Sequence, residues 1–477
     1  MTEPCDLTAT EARNLIGDKQ LSPVELLDSC ITQIEAVNPT VNAICGTCFD
    51  RARDEAKEAE AAVMRGDALG VLHGLPLGVK DLLDTEGLLT THGSPLFKDN
   101  VPTADHSLVA ELRKAGAIVF CKTNTPEFGA GANTNNPVWG ATGNPFDPKR
   151  ICGGSSGGSA VALATNMMPI ATGSDSGGSL RIPAAFCGVV AHRSTPGIVP
   201  NEKHGFGYTT FSVLGPMARN VDDMTLMYAP LVRHDPVDPL SAPMNPSDYT
   251  SIEPVDLSTL KVAVSEDLGF APVDNSIRAT FRERVEIFQS AFKECVSRDP
   301  DLGTVDRTNW ILRSQTFLAN HRNNYQNNRD ALGPNVLMNY EAGLEMKADE
   351  IAWAHQEQTN IYRHMENFFN DTDILIAPTV PVPPFPVEQR YCDEINGQKL
   401  DNYVIWLSLT YGLTIPGNPV TAIPCGLEPT GTPFGLQICG KHYDDRFVIG
   451  VAKSLERLFE TDPRTARPIP DIAGLSG

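Results

Sequence analysis

The chain has 477 residues, 41% hydrophobic and 20% charged, which is the make-up of a globular enzyme and not of a disordered or membrane-embedded chain. Its 38 basic and 59 acidic residues leave a formal charge of −21, which argues against nucleic acid or an anionic membrane as the main partner. No uncharged apolar stretch reaches the ~18 residues of a membrane span, and the first residues lack the basic and apolar regions of a signal peptide, so a cytoplasmic protein is expected.

In chain order, Ser22-Pro23-Val24-Glu25 reads as a capping box with proline at the first helical position. Leu26, Leu27, Cys30, Ile31 and Ile34 then form an apolar stripe at helical spacing. Cys45 and Cys48 match C-x-x-C, but no second pair follows at zinc-ribbon spacing, so two incidental thiols are expected. The odd total of eleven cysteines gives no disulfide framework. Residues 51–65 read as a charged helix, and 75–79 as a short apolar strand ending at Lys80. A helix at 108–114 precedes a buried strand at 117–121. A helix at 159–164, a strand at 168–172 and a helix at 179–186 follow. This alternation predicts an α/β layered core over roughly residues 70–230.

Proline and aspartate enrichment at 233–256 reads as an exposed connection, after which 260–264 resumes as a strand. Long helices are expected near 275–297 and 345–370, with a polar, amide-rich stretch at 320–328 between them. Residues 374–378 read as a strand leading into a proline-rich loop at 381–386. A strand at 434–440 and a helix at 445–459 close the chain.

Three segments carry chemistry. Gly153-Gly154-Ser155-Ser156-Gly157-Gly158-Ser159 and Ser174-Asp175-Ser176-Gly177-Gly178-Ser179-Leu180-Arg181 are glycine-serine loops that can aim backbone N–H groups at an anion. Leu75-Pro76-Leu77-Gly78-Val79-Lys80-Asp81 places one lysine at the end of an apolar run. A serine hydroxyl needs a base within hydrogen-bond reach, and lysine serves only when deprotonated. From a reference value near 10.4, keeping it neutral at pH 7 costs roughly 4–5 kcal/mol, which burial among apolar neighbours can supply.

Gly78-Val79-Lys80 and the two serine loops together resemble the amidase signature family. So do Lys122-Thr123-Asn124-Thr125-Pro126-Glu127, Gly143-Asn144-Pro145 and Leu214-Gly215-Pro216-Met217-Ala218-Arg219. The resemblance runs from about residue 8 to residue 458. It implies an α/β fold with a large mixed β-sheet core flanked on both faces by α-helices. Residues 1–477 would form a single domain, with the catalytic core at 70–230 and a variable helical region at 270–370 shaping the substrate entrance.

By the same resemblance Ser179 is the acylated nucleophile, Ser155 (which in the family follows a cis peptide bond) the relay, and Lys80 the base. The backbone amides of Ser176, Gly177, Gly178 and Ser179 would form the oxyanion hole, supported by Ser156, Asp175 and Arg181. Gly129, Ala130 and Gly131, with Ala132 and Ser155, align with a pocket segment whose small side chains leave room for a bulky or aromatic acyl group. The 315–345 segment and the 381–386 loop would shape the entrance.

The implied activity is hydrolysis by water of small amides, anilides, carbamates and some esters, by a monomer or homodimer needing no cofactor and no metal. The catalytic subunit of a glutamyl-tRNA(Gln) amidotransferase looks similar over the same motifs. Ser194-Thr195-Pro196-Gly197-Ile198-Val199-Pro200 and the short tail after Leu458 look more like stand-alone amidases. Two other serine hydrolases offer partial matches. Gly153 to Gly157 fits the G-x-S-x-G elbow of α/β-hydrolases, with His204, His234 and His442 downstream. Asp175-Ser176-Gly177-Gly178 is similar to the serine context of chymotrypsin-like proteases, whose all-β fold the strand-helix alternation opposes. The serine loops match neither the P-loop nor the Rossmann pattern.

Overall fold

The computed structural model describes residues 3–476. Its centre is an 11-stranded mixed sheet. In chain order the strands are β1 (Ile44–Thr47), β2 (Pro76–Lys80), β3 (Ile118–Thr123), β4 (Ile170–Asp175), β5 (Val190–Arg193) and β6 (Val213–Ala218). They continue as β7 (Lys261–Val264), β8 (Glu294–Ser297), β9 (Ile374–Pro378), β10 (Val420–Leu427) and β11 (Pro433–Cys439). The order across the sheet is β1-β3-β2-β4-β6-β5-β10-β11-β9-β7-β8. β2 runs parallel to both β3 and β4, whereas β4–β6, β6–β5 and β5–β10 are antiparallel. With the many helices packed on it, this is the expected α/β class.

The anticipated N-terminal elements form for the reasons their sequences suggest. Ser22 accepts from the Val24 N–H, Pro23 opens the Pro23–Val41 helix, and Leu26, Leu27, Cys30, Ile31 and Ile34 are all buried. All five residues of β2 are buried, which is why its sequence reads as a continuous apolar run with no alternation. Gly78 lies within β2, where an added Cβ would come 2.3 Å from Met168 Sδ, so a larger residue there would have to displace the Met168 side chain. All eleven cysteines are free thiols. The Cys45 and Cys48 sulfurs face the carbonyls of Lys122 and Val119.

Two expectations are revised. The helix expected over 275–297 ends at Phe288, and after a short turn Glu294–Ser297 forms β8, parallel to β7 at the sheet edge. The open hydrogen-bonding edge of β7 captures that stretch, a tertiary demand that local periodicity does not show. The amide-rich 320–328 stretch belongs to the Val305–Asn328 helix, followed by the Pro334–Glu345 and Ala348–Phe368 helices. Among the described residues, no helix is long and apolar enough to cross a membrane.

The topology brings the chemistry together. β2 and β4 are parallel neighbours, with Leu77 opposite Ile170 and Gly78 opposite Ala171. Lys80 therefore ends one strand beside Ser174 and Asp175, which end the next. In open α/β sheets ligands bind in the crevice outside the carboxyl ends of such strands.

Candidate active site

Lys80 is fully buried, and its Nζ lies 2.7 Å from Ser155 Oγ, 2.9 Å from Ser156 Oγ and 2.9 Å from Ser174 Oγ. Burial holds its pKa well below the ordinary lysine value, and the Asp175 charge opposes that only in part. Its backbone N–H donates to Thr172 Oγ1 at 2.8 Å, which fixes the end of β2 against β4. Ser155 is 2% exposed and follows a cis peptide bond from Gly154. Ser156 ties the two serine loops together, its N–H donating to the Ser179 carbonyl at 3.1 Å while its Oγ accepts from the Ser174 N–H.

The loop carrying Ser179 is wound around one carboxylate. Asp175 Oδ1 accepts from the Gly177 N–H at 3.2 Å and the Gly178 N–H at 2.8 Å, and Oδ2 accepts from Leu180 at 3.3 Å. Of the four amides expected to form an oxyanion hole, two are thus occupied internally. The N–H groups of Ser176 and Ser179 have no acceptor among the described residues. Arg181 meets Asp175 at 3.0 Å, and Arg193 meets it at 3.3 Å while also donating to its backbone carbonyl at 2.7 Å. All three side chains are 0% exposed, so this is a buried ion cluster and not a surface pair. Burial would raise the Asp175 carboxyl, but the two guanidiniums outweigh it and hold the group well below the usual carboxylate range. Arg181 is saturated elsewhere by the Thr410 carbonyl, Gln437 Oε1 and Thr414 Oγ1.

Ser155, Ser174, Ser176 and Ser179 open onto one cavity of about 170 Å³. Its walls include Leu82, Phe128, Phe206, Phe211 and Phe317, and one side is the Val305–Asn328 helix, which presents Arg313, Thr316, Asn320 and His321. Of the pocket segment anticipated from sequence, Gly129 lines this cavity, and a Cβ there would come 3.2 Å from Ser155 Oγ. Ala130 lines a separate pocket with Asn133 and Gly333, Gly131 faces Asn335, and Ala132 is buried in the core. The 381–386 loop does not line the cavity.

Ser174, Thr172, Arg193 and Arg313 were not singled out from sequence. Ser174 stood inside the quoted loop, and its spacing from Lys80 carried no signal. Arg193 and Arg313 carry no local motif, and only the fold brings them to the site.

His204 also lines the cavity, with its pKa lowered by burial, but among the described residues no histidine ring hydrogen-bonds to Ser155, Ser176 or Ser179. The nitrogen side chain in contact with serine hydroxyls here is Lys80. Among the described residues no group of three or more His, Cys, Asp or Glu is placed to hold a metal ion.

The family model described as Amidase matches residues 25–449. An acylamidase from Rhodococcus erythropolis is 31% identical, covering 94% of this chain and 95% of that protein. A glutamyl-tRNA(Gln) amidotransferase subunit from Halalkalibacterium halodurans is 32% identical, covering 97% of this chain and 99% of its own length. The crystal structure of a bacterial aryl acylamidase belonging to the amidase signature family superposes with a TM-score of 0.88 at 26% identity, covering 96% of each chain.

Proposed function

The chain belongs to the amidase signature family and is an amidohydrolase acting on carbon–nitrogen bonds other than peptide bonds, and from that premise we propose that it cleaves small amides, aryl amides and anilides among them, through an acyl-enzyme on Ser179. The observation that carries the reading is the fully buried Lys80 amine 2.7 Å from Ser155 Oγ, at the base of a cavity that also exposes Ser179. A neutral amine there accepts the Ser155 proton as Ser155 takes the proton of Ser179, whose Oγ attacks the amide carbonyl. The developing oxyanion lies over the 176–179 turn, where the Ser176 and Ser179 N–H groups are free to donate. The proton returns through Ser155 to the departing amine, and water then attacks the acyl ester by the same relay in reverse.

Aryl substrates are favoured by the four phenylalanines of the wall, since ring–ring contacts add about 0.5–1.5 kcal/mol beyond burial. The likeness to an acylamidase and an aryl acylamidase supports the same choice. Carbamates and simple esters present the same carbonyl and fall within the proposal.

A second reading, the catalytic subunit of a tRNA-dependent amidotransferase, has the 32% identity to one such protein in its favour. Purified alone, the protein is expected to hydrolyse anilides in a screen of aliphatic amides, arylamides, anilides and carbamates. Activity only on glutamine, and only with added partner chains, would favour the second reading.

A further inference from the structure

We propose that Arg313 is a binding residue for a carboxylate on the substrate, so that the preferred amides of this enzyme are anionic. The inference rests on the acyl-transfer reading of the site and names the substrate class it serves.

Arg313 projects from the Val305–Asn328 helix into the cavity that exposes Ser155 and Ser179. It is the one side chain with a permanent charge in the lining, and no Asp or Glu accompanies it there. Among the described residues no carboxylate lies within ion-pair distance of its guanidinium. Most arginines of this acidic chain do meet a carboxylate, and Arg313 is among the minority that do not. The two histidines of the lining have their pKa values lowered by burial, His321 to about 4, so near neutral pH neither adds a charge.

The guanidinium is held ready. Nε donates to Asn339 Oδ1 at 3.0 Å and Nη2 to the Tyr403 hydroxyl at 3.0 Å, and both partners are buried. The planar group lies 5.1 Å from the centre of the Phe317 ring. Nη1 has no hydrogen-bond partner among the described residues. All these partners are neutral, so the group is oriented without being neutralised. A carboxylate accepts N–H bonds from such a fork with little further ordering cost. The acidic surface does not cancel the attraction, because charges beyond about 8 Å are largely screened at physiological ionic strength.

The test uses matched pairs that differ in one carboxylate. N-phenylsuccinamic acid against butyranilide places it on the acyl side, and 4-acetamidobenzoate against acetanilide places it on the amine side. Affinities are read by calorimetry on the Ser179→Ala protein. In at least one pair the carboxylate is expected to bind roughly tenfold tighter or more, the range of a charge-assisted hydrogen bond. The advantage should shrink with added salt, vanish in an Arg313→Met background and survive in part with Arg313→Lys. Equal affinities within both pairs, or a preference that persists in Arg313→Met, overturns the proposal. Turnover by the Ser179 protein separates the two readings. A carboxylate preference without hydrolysis of any amide counts against the hydrolase and leaves Arg313 standing, whereas hydrolysis without the preference does the reverse.

Discussion

At the scale of single residues, the site depends on keeping one charge out and locking another in. Lys80 acts as a base only when neutral, and burial favours the neutral amine. The sign follows directly: the protonated ammonium cannot accept the Ser155 proton, so kcat/KM rises with pH and levels off once Lys80 is deprotonated. Because its pKa is depressed, the plateau begins well below the usual lysine range. In stability terms folding expels a proton from Lys80, so its contribution improves as pH rises toward the ordinary lysine value and worsens as pH falls. Lys80→Arg keeps a cation that stays protonated in proteins, and Lys80→Met removes the amine at similar volume. Both are expected to be nearly inactive on amides, Lys80→Met with native-like melting and Lys80→Arg with a lowered one because it buries a permanent charge; substantial activity in Lys80→Arg would make the lysine a structural cation. Asp175 is the opposite case, a carboxylate that must remain charged. Asp175→Asn leaves the Arg181 and Arg193 guanidiniums buried without a counter-charge. Denaturant unfolding should show a loss of about 3–5 kcal/mol, the usual consequence of breaking a buried pair on one side. A loss below ~1 kcal/mol would mean that water reaches the arginines.

At the scale of elements, the turn before the Arg181–Cys187 helix is set by backbone shape. Gly178 has φ 122°, and a Cβ there would come 2.3 Å from Thr410 Oγ1. That same hydroxyl donates to the Gly177 carbonyl at 2.7 Å, pinning the turn to the Ser408–Thr414 helix. Gly178→Ala is therefore expected to cost about 1–3 kcal/mol of stability and to displace Ser179, lowering kcat more than it raises KM. A variant with unchanged kcat would show that the turn tolerates the shift.

Much of this was legible in the sequence. Lys80 ends an uninterrupted apolar run, the first serine loop leads into the small-residue helix Gly157–Ala164 and the second into Arg181–Cys187, so β2, β4 and the two helix entries could be placed. Val420–Leu427 was not foreseen, because it follows Pro416-Gly417-Asn418-Pro419, contains Pro424 and, buried on both faces, shows no alternation. The β8 sequence reads as the end of a helix because its pairing partner β7 lies outside any local window. Gly129 reaches the cavity while Ala130 and Gly131 do not, which depends on a turn with positive φ at Phe128 and Gly129 that no spacing rule predicts.

At the scale of the whole molecule, the 11-stranded sheet joins segments from both ends of the chain, since β1 lies at one side and β10 and β11 beside β5 near its middle. Lys80, Ser155 and Ser179 come from the first half of the sequence, whereas Thr410, Thr414 and Gln437, which hold Arg181, come from the last quarter. The turn that carries Ser179 is thus completed only when the C-terminal segments are in place. The cavity wall built by 313–321 belongs to the Val305–Asn328 helix, outside the sheet strands that carry Lys80 and the serine loops, so changes on that helix can reshape the cavity without touching the Lys80–Ser155 contact. The proposed mechanism requires a covalent intermediate at Ser179. The protein treated with a fluorophosphonate is expected to gain one adduct by intact-mass spectrometry, and peptide mapping should place it on Ser179. Lys80→Met should label far more slowly. Stoichiometric labelling of Ser155, Ser176 or a histidine, with Ser179 unmodified, would contradict the mechanism.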